Sequence, residues 1–172
     1  ALRAEIEELW KNNHFRVGGT GRLGGYAIRP NIRNDHIHWL DEQQPTEPQS
    51  LYWKVIEELR AELNRELFLS LASFEAHYAV YPPGSFYQKH LDRFNNADER
   101  AISSTLYLNE EWKKEYGGQL RLYLRNNHKD ILPAAGTCVF FRSDMFFHEV
   151  LPANQTRFSL TGWFRRQSTR LV

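Results

Sequence analysis

The chain has 172 residues and a mass of 20.4 kDa, enough for one domain that buries roughly 70% of its unfolded surface around a single core. Lys and Arg total 22 against 21 Asp and Glu, a balance of +1 that argues against a duplex nucleic-acid binder, which needs a strongly basic face. Apolar content of 41% with 14% aromatics excludes a disordered chain, the lone Cys138 excludes a disulfide framework or Cys-rich zinc site, and no apolar run reaches the ~18 residues of a membrane span.

These bounds lead to the expectation of a soluble, cytoplasmic, single-domain protein with no membrane partner and no direct nucleic-acid partner. Leu2, Ile6, Leu9 and Trp10 recur at i, i+4, i+7 and i+8, which predicts an amphipathic helix over 1–12. Gly18, Gly19, Gly21, Gly24 and Gly25 then crowd together, so a mobile loop or loose hairpin is expected, with Arg16, Arg22, Arg29 and Arg33 set against Asp35. Ile37 to Leu40 reads as a short extended piece. Ser50 is expected to cap a second helix reaching Leu67, with Tyr52, Val55, Ile56, Leu59, Leu63 and Leu67 on its apolar positions. From Ser73 the period changes to short runs of aromatic and β-branched residues between turn signals. Strands are predicted near 74–81, 85–91, 101–108, 119–124, 129–132, 137–142, 147–151 and 157–166. Eight such strands indicate a sandwich, jelly roll or barrel, with the two helices covering an outer face.

The run Gly19-Thr20-Gly21-Arg22-Leu23-Gly24 matches the spelling of a dinucleotide fingerprint, but Gly25 and Pro30 follow it and no helical period starts. Without a helix N-terminus to meet a pyrophosphate, a loop is the better reading. His90-Leu91-Asp92 carries more. On a strand, residues two apart share a face, so an imidazole and a carboxylate would point inward together. His148, on a later predicted strand, supplies a third ligand, and two histidines with one carboxylate leave open metal positions for a cosubstrate and oxygen. The plain alternative is three ordinary polar residues at strand ends. His14, His36, His38, His77 and His128 lack a carboxylate at matching spacing and read as structural or solvated. Arg157 favours the metal reading. Alternation puts it on one face of its strand with Ser159, Thr161 and Trp163, opposite Phe158, Leu160 and Phe164. A guanidinium there suits a carboxylate, and Tyr107, on one side of 101–108 with Ser103 and Thr105, adds a hydroxyl. Together these specify a site for a metal and a small dicarboxylate.

At this point the chain resembles the iron(II)/2-oxoglutarate oxygenase superfamily, and within it the prolyl hydroxylases of the oxygen-sensing type and their bacterial relatives. The resemblance rests on Ile32-Arg33-Asn34-Asp35 with Trp39-Leu40, Tyr81-Pro82, Tyr87-x-x-His90-x-Asp92, Tyr107-Leu108-Asn109 with Trp112, Gly117-Gly118-x-Leu120-Arg121, Phe140-Phe141-x-Ser143-Asp144, His148-Glu149-Val150 and Arg157 through Trp163. It covers nearly the whole chain, most densely from Tyr78 to Phe164. It implies a mainly β fold, a double-stranded β-helix (jelly roll, cupin-like) over 71–166, with 1–70 supplying supporting helices and the glycine-rich loop of the same single domain.

The resemblance also implies the site. His90, Asp92 and His148 would bind Fe(II). Arg157 would pair with the distal carboxylate of 2-oxoglutarate, with Tyr107, Tyr81, Leu120 and Thr161 completing the cosubstrate pocket. Trp163, Arg100, Tyr87, Arg33 and Asp35 would face the substrate, Arg33 and Asp35 holding the glycine-rich segment closed over it. The implied reaction consumes O2, releases succinate and CO2, and hydroxylates a prolyl residue of a protein. Ascorbate is a candidate reductant, and a component of the translation machinery is a candidate partner. The glycine-rich segment and the slightly short stretch from Tyr81 to His90 depart from the animal members, which bears on the substrate rather than on the chemistry. Two rival readings stand beside this one: a hydroxylase of a free amino acid or other small molecule, and a non-enzymatic metal-binding jelly-roll sensor or binding module.

Overall fold

A computed structural model describes residues 1–20, 27–92 and 99–167 of the chain. Helix α1 (Leu2–Lys11) buries Ile6 completely and packs Leu2, Leu9 and Trp10 around it, as its spacing requires. Strand β1 (Arg16–Val17) then pairs with β2 (His36–Trp39), and β2 pairs with β3. The first seventy residues thus add two strands to a sheet: β2 is the extended piece expected near Ile37 to Leu40, and β1 goes beyond the expected elements. Residues 21–26, the centre of the glycine-rich segment, lie outside the described residues. On either side of them Thr20 and Ala27 exchange backbone hydrogen bonds of 2.9 Å, so the flanks form a hairpin-like closure.

Helix α2 (Glu47–Leu67) starts earlier than expected. Its cap is Thr46, whose side-chain oxygen accepts from the Gln49 N–H at 3.4 Å, whereas Ser50 lies inside the helix and donates to the Thr46 carbonyl at 2.9 Å. Pro48 sits in the first turn, where a missing N–H costs no helical bond, so it opens the helix instead of delaying it. Tyr52, Trp53 and Ile56 are buried, but Val55 and Leu67, expected beside them, are 60% and 59% exposed. Val55 is one residue from Ile56 and so about 100° round the axis from it. Leu67 closes the helix where the chain leaves through Phe68 in the left-handed conformation, φ 53°.

The predicted strands all form, within a few residues of their expected ends: β3 (Leu71–Tyr81), β4 (Tyr87–His90), β5 (Arg100–Tyr107), β6 (Leu120–Tyr123), β7 (His128–Ile131), β8 (Cys138–Arg142), β9 (His148–Val150) and β10 (Arg157–Arg166). They make two antiparallel sheets, ordered β1-β2-β3-β10-β5-β8 and β4-β9-β6-β7. From β3 to β6 and again from β7 to β10 successive strands alternate between the sheets, with β6 and β7 paired in the smaller one, which is the double-stranded β-helix.

Strand β10 runs through the middle of the larger sheet, and its alternation divides the core. Phe158, Leu160 and Phe164 join Ile6, Tyr52, Trp53, Ile56 and Phe74 under the helices. The other face turns inward, where Ala79, Tyr81, Tyr107, Leu120, Leu122, Phe141 and Val150 pack between the sheets. Register places three inward rows across β3, β10 and β5: Ala79–Ser159–Tyr107, His77–Thr161–Thr105 and Glu75–Trp163–Ser103. Beyond the first row, Tyr81 stands opposite Arg157.

Candidate active site

Between the two sheets lies a cavity of about 370 Å³, lined at one end by Arg157, Tyr81 and Leu120 and at the other by Trp39, Glu75, Arg100 and Trp163. His90, Asp92 and His148 line it between these ends, with ligand atoms all within 4.8 Å of one another. Pairing of β4 with β9 brings the histidines together, because His90 stands directly opposite His148 in register. Asp92 does not share the strand with His90, as the sequence suggests; β4 ends at His90 and Asp92 lies in the bend that follows. Its carboxylate still turns inward, with Oδ1 at 3.6 Å from His90 Nε2 and Oδ2 at 3.5 Å from His148 Nε2. Ser103 of β5 secures that bend by donating to Asp92 Oδ2 at 2.5 Å, and the Ser143 hydroxyl lies 2.9 Å from Ser103 Oγ.

Both imidazoles are oriented by backbone. Nδ1 of His90 lies 2.7 Å from the Gln88 carbonyl and Nδ1 of His148 lies 3.1 Å from that of Phe146. A proton on each Nδ1 leaves each Nε2 lone pair free toward the gap, the tautomer a metal ligand needs. Burial pushes His148 down to about 4, so its ring is neutral at pH 7. Burial opposes ionisation of Asp92, but the neighbouring His148 and His90 rings and the hydrogen bond from Ser103 outweigh it and hold the carboxyl well below its usual range. The result is two imidazole nitrogens and one carboxylate oxygen converging on a point.

Other predicted residues surround this centre. Arg157 is only 2% exposed, donating from Nε to the Gly118 carbonyl at 3.0 Å and from Nη1 to Ser159 Oγ at 3.3 Å. Its guanidinium carbon lies 4.9 Å from the Tyr81 ring centroid and 5.0 Å from that of Tyr107. Among the described residues no carboxylate pairs with it. Burial pushes the phenols of Tyr81 and Tyr107 up, so both hold their protons, and the Tyr107 hydroxyl has no hydrogen-bond partner among the described residues. A buried, uncompensated cation beside an unused donor is costly unless an anion enters. Gly118 makes room for this arrangement: at φ +71°, an added Cβ would lie 3.3 Å from Arg157 Cδ and 3.0 Å from the Ala153 side chain.

On the opposite flank Arg33 and Asp35 form a buried bidentate pair, at 2.7 Å from Nε to Oδ1 and 2.5 Å from Nη2 to Oδ2. Arg33 also lies over the Tyr87 ring at 4.3 Å, and that ring stacks on His90 at 3.6 Å with only 13° between planes. Tyr87 therefore braces a triad histidine as well as lining the cavity. Arg33 Nη1 donates to the Gly19 carbonyl at 3.2 Å, and Gly19 and Thr20 line the cavity, so the root of the glycine-rich segment sits at its mouth. Arg100 covers Trp163 at 3.6 Å and pairs with Glu75 at 2.8 Å.

A sequence profile of the 2OG-Fe(II) oxygenase superfamily matches residues 76–165, the span that carries the triad and Arg157. The chain belongs to the 2OG-Fe(II) oxygenase superfamily. This oxygenase is 43% identical to a Pseudomonas putida prolyl-4-hydroxylase of known crystal structure, with a TM-score of 0.85 over 96% of this chain and 86% of that one. It is 27% identical, with a TM-score of 0.83 over 94% and 75% of the two chains, to a Trichoplax adhaerens prolyl hydroxylase solved with a hypoxia inducible factor oxygen degradation domain peptide. The hypoxia-inducible factor prolyl hydroxylase of Caenorhabditis elegans is 33% identical over 96% of this chain, which spans only 24% of that relative's length. The superfamily uses Fe(II) and 2-oxoglutarate with O2, and the residues present fit both groups: the triad offers the iron two nitrogens and a carboxylate oxygen, and the unpaired Arg157 offers a diacid its cation.

Sequence reasoning missed one wall of the oxygenase's cavity. His77, read there as structural or solvated, lines the cavity from β3. The signal was available, because Glu75, His77, Ala79 and Tyr81 share one face of a strand once Tyr81 is placed inward. Ser143, quoted only within the resemblance, takes its place behind Asp92 through Ser103.

Proposed function

We propose that this oxygenase hydroxylates prolyl residues of proteins, with His90, Asp92 and His148 holding Fe(II) and Arg157 holding the distal carboxylate of 2-oxoglutarate. The observation that carries the reading is the buried, unpaired Arg157 in the same cavity as the triad, since a merely structural metal site has no use for such a cation. Bound there, Fe(II) with 2-oxoglutarate and O2 supplies the oxidising chemistry, releasing succinate and CO2.

This chain's own residues supply the rest. Ser103 and the Gln88 and Phe146 carbonyls orient the three ligands, so little reorganisation accompanies metal entry. Tyr107 and Tyr81, both protonated, flank Arg157 and add hydroxyls to its fork. Leu120, Ala79 and Val150 keep the intervening space apolar, which excludes water from the cosubstrate. Trp163, Arg100 and Tyr87, with Arg33 and Asp35 anchoring the glycine-rich flank, form the wall that a polypeptide would meet. The preference for a prolyl substrate is supported by the 43% identical relative named a prolyl-4-hydroxylase and by the peptide complex of the Trichoplax adhaerens protein. A cytoplasmic setting belongs to the same reading, and the exposed free thiol of Cys138 suits a reducing compartment.

The test is proteomic. Lysate proteins are incubated with enzyme, Fe(II), 2-oxoglutarate and ascorbate, with ribosomal fractions analysed apart to examine the translation machinery. Proline gaining the mass of one oxygen atom is the expected mark, absent with Asp92→Ala, which removes the anionic ligand. Turnover stimulated by a free amino acid with no mark on any protein overturns the protein-substrate reading in favour of a small-molecule hydroxylase.

A further inference from the structure

His77 is the group in the cavity that neither the metal nor the cosubstrate accounts for. It is 4% exposed and lines the cavity from the centre of β3, opposite Thr161 on one side and Trp39 on the other. Two indoles hold its ring: Trp39 at 4.8 Å and 69°, and Trp163 at 5.3 Å and 43°. Aromatic contacts on both flanks fix the ring plane without using either nitrogen. Nδ1 is buried with no partner, and neither ring nitrogen hydrogen-bonds within the described residues. An imidazole locked in place by packing, with its polar atoms unused, is the kind of buried polar group that native structures rarely leave without a ligand.

Its surroundings narrow what that ligand is. Burial first, then the nearby charges of Arg33 and Arg100, push the ring well below its ordinary range, so it is a neutral donor and acceptor rather than a cation. Both ring contacts are mouth residues: Trp39 is 37% exposed, and Trp163 lies under Arg100. The diacid's anchor lies at the other end, where Arg157 and Tyr107 already supply its donors. A neutral ring keeps one N–H to donate, and a carbonyl oxygen is the acceptor that a polypeptide offers it. Proline has no N–H to offer, so the flanking carbonyls are the polar handles by which a prolyl segment is held.

Building on the proposed prolyl hydroxylation, we propose that His77 is a specificity-determining residue whose ring N–H donates to a backbone carbonyl of the polypeptide beside the target proline, in the slot between Trp39 and Trp163.

The experiment uses the iron-loaded full chain and a synthetic peptide spanning the proline marked in the lysate assay. His77→Phe keeps an aromatic ring between the indoles and removes both nitrogens. Its apparent KM for the peptide is expected to rise about tenfold, the scale of one lost hydrogen bond. Its kcat at saturating peptide and its apparent constant for 2-oxoglutarate stay within about twofold, and His77→Asn recovers part of the loss. In parallel, 15N spectra of the Zn(II)- and 2-oxoglutarate-loaded wild type are expected to shift at the His77 ring nitrogens on peptide addition, a readout that needs no variant to fold. An unchanged peptide KM in a folded His77→Phe, a rise confined to the 2-oxoglutarate constant, or unmoved ring resonances overturns the assignment. A wild type that hydroxylates no prolyl peptide removes the prolyl reading itself and this role with it, which is distinguishable from a working wild type indifferent to residue 77.

Discussion

Replacing Arg157 by Met removes the guanidinium from the deep end of the cavity while keeping an unbranched side chain in its channel. In the folded chain that guanidinium is 2% exposed, and among the described residues only the Gly118 carbonyl and the Ser159 hydroxyl accept hydrogen bonds from it. Its remaining donors are free for a carboxylate. Two charge-assisted hydrogen bonds of about 1.5–3 kcal/mol each amount to roughly 3–6 kcal/mol, so 2-oxoglutarate should bind at least about a hundredfold more weakly. The loss is readable as a melting shift. At 2-oxoglutarate about a hundred times its dissociation constant, the wild type gains about 2.7 kcal/mol, or roughly 5–11 °C for a domain of this size. At the same concentration Arg157→Met should gain only about 1 °C, and Arg157→Lys, which keeps the charge but not the planar fork, should fall between. Scanning fluorimetry of Mn(II)-loaded protein without oxygen measures all three. The apo melting temperature controls for folding, because the variant loses two hydrogen bonds but also sheds a buried, uncompensated charge. A full shift retained by Arg157→Met would refute the argument that this cation is the cosubstrate's anchor.

Three further outcomes follow from the geometry. Ser103→Ala removes the 2.5 Å hydrogen bond that holds Asp92; Co(II) affinity, followed by visible absorption, should drop about ten- to hundredfold, and an unchanged affinity would show that the bend is held by backbone alone. The apo protein should weaken in acid: His148 has its folded value pushed down to about 4 from 6.5. Between those values the unfolded chain takes up a proton that the folded chain refuses, so stability present at neutral pH is lost as pH falls through this window, by about 3 kcal/mol. His77, also pushed down by burial, acts in the same direction. Urea midpoints at pH 7 and pH 4.5 test this, and equal midpoints would contradict it. Gly162→Ala places a Cβ 2.4 Å from Phe74 Cζ and 2.7 Å from the Glu75 carbonyl, overpacking the outer core at a cost of about 1–3 kcal/mol, so melting should drop several degrees. The 2-oxoglutarate shift should survive, because the strain falls on the sheet's outer face; a lost shift would place the strain in the cavity.

The strand pattern was readable because period-two alternation and turn residues are local signals. Every one of the eight predicted strands forms, and the inward face of β10 is the one that its polar residues mark. The triad and Arg157 were readable for another reason: residue types with few alternative uses stand at spacings that match a superfamily. Helix α2 was less legible. Pro48 looks like a barrier yet serves as a helix opener, and Val55 passes for a buried position by spacing alone. Whether an apolar helical residue is covered depends on which sheet it meets, and no local signal reports that.

By itself, then, the sequence determined the strand segments, the first helix and which residues are proposed to bind a metal and a diacid, since each depends on short-range periodicity or on side-chain chemistry. The tertiary structure decided what brings them together. His90 meets His148 because β4 and β9 pair in that register, and Asp92 turns inward because Ser103, on the facing sheet, receives it beyond the end of its own strand. His77 becomes part of the cavity only when β2 and β10 flank β3 and set an indole on either side of it. Cross-strand neighbours lie far apart in sequence, so which side chains share a cavity is set by register and sheet order, which only the folded chain possesses.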